Sequence, residues 1–187
     1  MRQRMTAVLM IWILLLSSCG AGQHGVQDAL RFRTELEERG GCGFLAHITA
    51  DVEERGYTFV LQASCGEADT SIAVVTPESI AGITARVTEL DAALSFEGVT
   101  LDFGRMDDVL TSPLYLPWLL HACWVGGYVS CAGDDGGQNR VTYLWGSGEE
   151  ELAVDTWFSE AVPVRAEVFR GGHLLLSASL EGFTFGS

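Results

Sequence analysis

Five cysteines are the residues of this 187-residue chain whose chemistry depends most on where the protein resides. Cys19 directly follows an apolar run and precedes small residues, whereas Cys42, Cys65, Cys123 and Cys131 lie further along the chain. A cysteine can form a disulfide, ligate a metal ion or receive a covalent modification, and the compartment decides among these. The segment around Cys19 therefore has to be interpreted first.

The segment before Cys19 has the pattern of a secretory signal. Arg2 and Arg4 supply a positively charged start, and residues 6–16 are almost wholly apolar. This run is shorter than the roughly 20 residues that a membrane-spanning helix needs, and it is typical of the apolar core of a signal peptide. The chain is therefore predicted to be exported from the cytoplasm.

The residues after the apolar run indicate lipidation. Leu16-Ser17-Ser18-Cys19 resembles the bacterial lipobox, in which the cysteine is lipidated and becomes the new N-terminus. We expect residues 1–18 to be removed, Cys19 to anchor the protein to the bacterial cell membrane on its extracytoplasmic side, and residues 19–24 to form a tether. The alternative is an ordinary signal peptide followed by an incidental cysteine.

The strands after residue 40 predict a disulfide between Cys42 and Cys65. Residues 44–52 and 57–64 alternate in the manner of β-strands, and the residues between them read as a turn. If the two apolar faces pair so that Phe44 lies opposite Ala63, the same register places Cys42 opposite Cys65. Directly opposed residues of antiparallel strands come within disulfide reach, and an even number of cysteines in an exported chain favours such bonds.

A second disulfide, Cys123–Cys131, follows by elimination. A chain that turns at Gly126-Gly127 could bring these two cysteines within bonding distance. The alternative for all four cysteines is a set of buried, reduced thiols.

Other chemistry finds little support in the sequence. No G-x-S-x-G, P-loop, C-x-x-C or H-E-x-x-H pattern is present, and His121-x-Cys123 lacks the companions of a metal site. Asp134-Asp135 reads as a solvated turn rather than a calcium site, because no spaced oxygen ligands follow it. We therefore expect no enzymatic activity, no metal and no cofactor.

Charge excludes one class of partner. The chain has 25 acidic against 11 basic residues, a formal net charge of −14, and all of its basic residues are arginine. Nucleic acids and anionic lipid surfaces bind positive charge, so neither is an expected partner. Attachment to the membrane would depend on the acyl chains at Cys19.

The order of predicted elements is that of an α+β domain. A helix is predicted over residues 28–39, and roughly ten strands follow the period-two pattern over the rest of the chain. An apolar helical insert over residues 110–125 interrupts them, and residues 126–138 read as a Gly-rich loop. A large antiparallel sheet with helices on one face is the arrangement that such an order favours.

This order resembles that of the LolA/LppX-like lipoprotein carriers and sensors. The strongest local match is residues 154–185, where Pro163 opens a strand, Gly171-Gly172 forms a turn and the last strand ends in Phe183-x-Phe185. An earlier match runs over residues 56–77, and the insert begins at Ser112-Pro113. The resemblance implies one LolA-like domain over residues 25–187, in which a curved sheet, an open half-barrel, wraps round the helices.

The resemblance also implies a function. Such proteins often bind acyl chains in the hollow of the sheet, so we expect a membrane-anchored carrier of a lipid or other apolar ligand. Unlike the soluble carriers, an anchored chain could not shuttle between membranes. Tryptophan and phenylalanine are numerous, and an ordinary core is the alternative to a cavity. The residues expected to line such a pocket are Phe44, Ile48, Phe59, Leu61, Phe103, Leu119 and Trp124.

A second function remains open at this point. The same sheet could bind a membrane-protein partner, as an envelope or sporulation sensor does, with no small-molecule ligand. A co-purified lipid would favour the carrier, and a stoichiometric protein partner without lipid would favour the sensor.

Overall fold

A computed structural model describes residues 20–52, 55–102 and 112–186 of the chain. Eleven antiparallel strands form one sheet in the order β6-β5-β4-β3-β2-β1-β11-β10-β9-β8-β7. The strands are β1 Gly41–Val52, β2 Arg55–Gly66, β3 Thr70–Thr76, β4 Thr84–Val87, β5 Ala92–Phe96, β6 Val99–Asp102, β7 Tyr128–Asp135, β8 Gln138–Trp145, β9 Leu152–Ser159, β10 Val162–Arg170 and β11 His173–Phe185.

The sheet consists of two meanders that meet where β1 pairs with β11. Within the described residues β6 and β7 form its two edges, so the sheet is open, as the resemblance implies. The described ranges contain two α-helices, α1, Gly20–Glu38, and α2, Leu116–Gly126. The second of them lies between the two edge strands in sequence. The α+β class and the open curved sheet are therefore confirmed.

The predicted hairpin register is confirmed as well. Phe44 pairs with Ala63, Ile48 pairs with Phe59, and Cys42 pairs with Cys65. A shift of one residue would have moved every apolar side chain of the hairpin to the opposite face. The buried face of these strands thus fixes the register that the alternation indicates.

The two helices cover the inner face, the sheet face that carries Phe44 and Ile48. Ala29, Phe32 and Leu36 of α1 are buried and lie three or four residues apart, which places them along one side of the helix. The helix α2 is buried over most of its surface, and its Trp124 Nε1 donates a hydrogen bond to Thr156 Oγ1 at 3.1 Å. One short 3-10 turn, residues 113–115, precedes it, with Ser112 at the N-cap and Pro113 at the first position of the turn.

Arg33 joins the two helices. Its Nε donates to the carbonyl oxygen of Trp124 at 2.8 Å, and its Nη2 donates to that of Gly127 at 2.6 Å. The last carbonyl groups of a helix have no partner within the helix, so a positive side chain with several donors stabilises that end. This guanidinium therefore fixes the end of α2 against α1.

Two expectations differ from the structure. The predicted loop over residues 126–138 is mostly strand β7. The strand leads into a hairpin turn formed by Gly136 and Gly137, both at positive φ, so these glycines mark a tight turn and not a long loop. The first described helix begins at Gly20, so residues 20–24 of the tether predicted over residues 19–24 belong to α1. Among the described residues, neither helix combines the length and apolarity that crossing a membrane requires.

Candidate functional site

The inner face of the sheet carries rows of apolar side chains that run across the strands. One row starts in the core at Phe44, which is 1% exposed, and ends at the β6 edge with Leu101, which is 58% exposed. Strand pairing makes this row continuous through Phe44, Ala63, Ile72, Ala85, Leu94 and Leu101. The apolar surface therefore extends past the part of the sheet that the helices bury.

A neighbouring row repeats this gradient. It runs from Ala46 through Leu61 to Val74, whose backbone N–H donates to the carbonyl oxygen of Ile83 just before β4, and it ends with the pair Phe96 and Val99 on β5 and β6. The exposed fraction rises from 0% at Ala46 to 63% at Val99. Two rows that become exposed at the same edge define a continuous patch. We call this patch, made of Leu94, Phe96, Val99 and Leu101, the open apolar face.

The placement of the helices explains the gradient. The most extensive contacts of α1 with the sheet are to β7, β8 and β1, and those of α2 are to β2, β3 and β8. Strands β5 and β6 lie beyond this cover at the end of the sheet order. Ala92 is still buried and Leu94 partly buried, whereas Phe96, Val99 and Leu101 keep the apolar character of the core without its burial.

The outer face of the same strands is polar. Ser95 and Thr100 alternate with the open apolar face, and their hydroxyl groups lie 2.8 Å apart in a hydrogen bond. A cavity of about 650 Å³ on this side is lined chiefly by small polar and alanine side chains. The β5–β6 hairpin is thus amphipathic, although neither of its faces is fully covered.

Most of the predicted pocket residues are in the core instead. Phe59 is partly buried against the core, and Phe103 lies outside the described residues. The other five are fully or almost fully buried: Phe44, Ile48, Leu61, Leu119 and Trp124.

An aromatic cluster accounts for this burial. Phe32 of α1 contacts Trp124 and Phe158 with ring centroids 5.7 and 5.0 Å apart, and Phe44 contacts Trp124 at 5.7 Å. Aromatic pairs of this geometry stabilise a core beyond the area they bury. Phe44 and Trp124, two of the aromatic side chains expected to line a pocket, therefore fill the space between α1, α2 and the sheet.

The sequence pattern alone does not reveal the open apolar face. In the sequence, Leu94 and Phe96 alternate with Ala93 and Ser95, which is the pattern of a short strand. What alternation does not reveal is which end of the sheet the helices leave uncovered. That depends on pairings between residues distant in sequence.

The four downstream cysteines are free in the structure, so neither predicted disulfide is formed in it. Cys42 and Cys65 are nevertheless neighbours, both buried on the inner face. A hydrogen bond to the Cys65 side chain, burial and the charge of Cys65 together raise the pKa of Cys42. The structure therefore keeps this pair within reach of a bond.

The Cys123–Cys131 prediction is not supported. A β-bulge between Val129 and Cys131 shifts the register of β7, so that Cys131 pairs with Thr142 and its Sγ lies 3.3 Å from Thr142 Oγ1 on the outer side. Cys123 is a fully buried residue of α2, and burial raises its pKa. The two side chains thus face opposite sides of β7, which elimination by sequence could not reveal.

Asp134 and Asp135, which the sequence analysis considered as a calcium site, make hydrogen bonds within the protein. Asp134 accepts a hydrogen bond from the backbone N–H of Gly137, and Asp135 accepts one from Trp157 Nε1 at 2.8 Å. Across the three described ranges, no three His, Cys, Asp or Glu side chains are grouped so that they could hold a metal ion. His47 lies on the outer face, where its Nε2 is 3.6 Å from Glu181 Oε2.

Comparison with known proteins identifies the fold. No protein-family model and no curated protein matches the sequence. A LolA superfamily protein from Nitrosomonas europaea superposes with a TM-score of 0.50 at 11% identity, over 85% of this chain and 94% of that one. A domain assigned to the outer-membrane lipoprotein-sorting proteins, from Vibrio parahaemolyticus, has a TM-score of 0.50 at 11% identity, over 87% and 92%.

A DUF1329 family protein from Desulfovibrio piger gives the same TM-score of 0.50 at 7% identity, over 87% of this chain and 92% of that one. Identities this low carry information about the fold only. The shared architecture is an open, curved antiparallel sheet around an N-terminal and a central helix. The chain has a LolA-like fold.

Proposed function

We propose that this protein is a non-enzymatic, extracytoplasmic lipoprotein that binds an acyl chain or similar apolar ligand on the open apolar face. The observation that carries the proposal is the continuity of the apolar rows from the buried core to the exposed β6 edge. A ligand laid along β5 and β6 would extend the core outward.

The energetic reason is the burial of apolar surface. Phe96, Val99 and Leu101 are about half exposed or more, and they lie side by side on adjacent strands. Fully burying an exposed leucine, valine or phenylalanine side chain contributes roughly 1.5–3 kcal/mol, so covering one that is about half exposed contributes about half as much. Contiguous exposed apolar patches are unusual on proteins without a ligand or partner, whereas single exposed side chains are common.

The shape of the patch favours an aliphatic ligand. The residues of the open apolar face, Leu94 and Phe96 of β5 and Val99 and Leu101 of β6, carry no charge or hydrogen-bonding group. A ligand held there would be recognised through apolar contact and not through polar groups. Acyl chains meet this condition, and they are the ligands that the resemblance to LolA/LppX-like carriers implies.

The anchor is part of the proposal and rests on the sequence. Cys19 lies outside the described residues, and Leu16-Ser17-Ser18-Cys19 is its support. Lipidation would hold the domain at the membrane surface, where acyl chains are supplied. Replacing Cys19 by alanine should leave an unprocessed precursor that takes up no fatty-acid label, and unchanged labelling would point to an ordinary signal peptide.

Native mass spectrometry of the protein extracted in mild detergent tests the ligand. We expect a co-purified lipid that leaves on gentle activation and is absent after exhaustive delipidation. A protein that is repeatedly empty, and that takes up no added fatty acid or phospholipid, would contradict the proposal.

One observation favours the alternative, a protein-binding sensor. β6 forms one edge of the described sheet, and an edge strand presents unpaired backbone groups to which another chain can add a strand. Affinity purification of the anchored protein from membranes distinguishes the two functions. A stoichiometric membrane-protein partner in lipid-free preparations would support the sensor and count against the carrier.

A further inference from the structure

A second cavity, of about 290 Å³, lies beside α2 and away from the open apolar face. Its walls come from the turn between β2 and β3, from one side of α2 and from the end of β8. Trp118 and Trp145 both line it, with ring centroids 5.9 Å apart and ring planes at 89°. Two indole rings at a right angle form a corner of the kind that encloses a cation.

The charges around this corner are negative. Glu67, Asp69 and Glu89 line the cavity, and no arginine does. Asp69 is paired with Arg86, whereas Glu67 and Glu89 have no ion-pair partner within the described part of the chain. The carboxylates of these two glutamates therefore face the same space as the two indole rings without an ion-pair partner among the described residues.

His121 does not offset this charge. It lines the cavity from α2, and burial lowers its pKa from the usual value of 6.5. The imidazole is consequently neutral near neutral pH and adds no positive charge to the cavity. An anion would meet carboxylates there without a compensating cation.

A buried hydroxyl group completes the site. Thr70 lines the cavity and is fully buried, and its Oγ1 has no hydrogen-bond partner in the structure. A buried polar atom without a partner is costly and uncommon, so it calls for an explanation. A ligand that carries a hydroxyl or ether oxygen would supply the missing partner.

We propose that this cavity binds an organic ammonium group with a short oxygen-bearing arm, the chemistry of choline. The ammonium would lie against the faces of Trp118 and Trp145, and the carboxylates of Glu67 and Glu89 would attract it. A purely apolar ligand makes no use of the carboxylates. The site is separate from the open apolar face, so either can fail without the other.

Isothermal titration of the full chain in a non-ionic detergent tests the proposal with choline and its neutral isostere, 3,3-dimethyl-1-butanol. The two have the same shape and differ in the charge of one central atom. We expect choline to bind at least about fivefold more tightly, since cation–π attraction and the carboxylates act on the charged molecule alone. Equal affinity, or no binding of choline at millimolar concentration, would overturn the proposal.

Substitutions locate the binding. Trp118→Leu keeps an apolar side chain and removes the ring, so it should weaken choline binding by roughly fivefold or more. The double variant Glu67→Gln, Glu89→Gln changes only exposed turn residues and should weaken binding and its salt dependence without affecting the fold. Glu78→Gln, at an exposed position away from the cavity, is the matched control and should bind as the parent does. Parent-like affinity in the double carboxylate variant would contradict the site.

Comparing the affinities for glycerophosphocholine and choline shows whether the ammonium group belongs to a lipid headgroup or to a free molecule. If glycerophosphocholine binds more tightly than choline, the ligand is a lipid headgroup, and if choline binds more tightly, the ligand is a free quaternary ammonium compound. Either ranking supports the ammonium site. No binding of choline at millimolar concentration refutes it, whether or not glycerophosphocholine binds.

Discussion

Cys42 and Cys65 face each other directly across β1 and β2, and both thiols are buried against the core. The sequence suggests export, and export exposes such a pair to oxidising conditions. We predict that the secreted protein contains a Cys42–Cys65 disulfide, detectable by non-reducing peptide mapping. Its reduction should lower the free energy of unfolding by about 3 kcal/mol, on the chain-entropy model for a loop of this size.

The control for this prediction is Cys131→Ser, because Cys131 is exposed and lies on the outer face. This variant should show the same map and the same stability. A peptide joining Cys42 to Cys123, or free thiols at both Cys42 and Cys65 in exported protein, would refute the pairing.

Arg33→Met should destabilise the protein through the end of α2. The substitution keeps an apolar stem and removes the donors to the carbonyl oxygens of Trp124 and Gly127. Losing a hydrogen bond from a charged group typically lowers the free energy of unfolding by about 1.5–3 kcal/mol. Urea denaturation measures the effect.

Arg31→Met is the matched control on the same helix. Arg31 is largely exposed and pairs only with Asp28, and surface pairs of this kind contribute about 0–1 kcal/mol. Equal losses in the two variants would mean that the contacts of Arg33 with α2 are not what stabilises the junction.

The hairpin shows what the sequence could predict and the bulge shows what it could not. The register of β1 and β2 follows from local alternation, since one face must be buried and a slip would invert it. The bulge between Val129 and Cys131 depends on how β7 fits beside β8, and no residue pattern marks it. The uncovered state of Leu94 and Leu101 likewise depends on where the helices lie, so the candidate site had to come from the structure.

The stability should depend on pH through His121. Burial lowers its pKa in the folded protein, whereas the unfolded chain keeps a value near 6.5. The unfolded state therefore takes up a proton first as the pH falls, so the contribution of neutral His121 is fully present above about pH 6.5 and is lost below it. Denaturation at a series of pH values should show a smaller fall in stability between pH 8 and about pH 5 for His121→Gln than for the parent.

His173→Gln provides the comparison, because His173 is exposed at the start of β11. Its profile should follow that of the parent. A His121→Gln profile that coincides with the parent's would show that this histidine is not the group responsible.

The most direct test of the open apolar face is the affinity of the full chain for a fluorescent acyl-chain probe in two variants of adjacent residues. Leu101 and Thr100 are both exposed on β6 and point to opposite faces of the sheet, so an added charge should leave the fold intact in both, as circular dichroism can verify. We predict that Leu101→Asp weakens binding by roughly tenfold or more, since it removes apolar contact and places a charge in the site. Thr100→Asp should bind as the parent does, and equal affinities in the two variants would contradict the site.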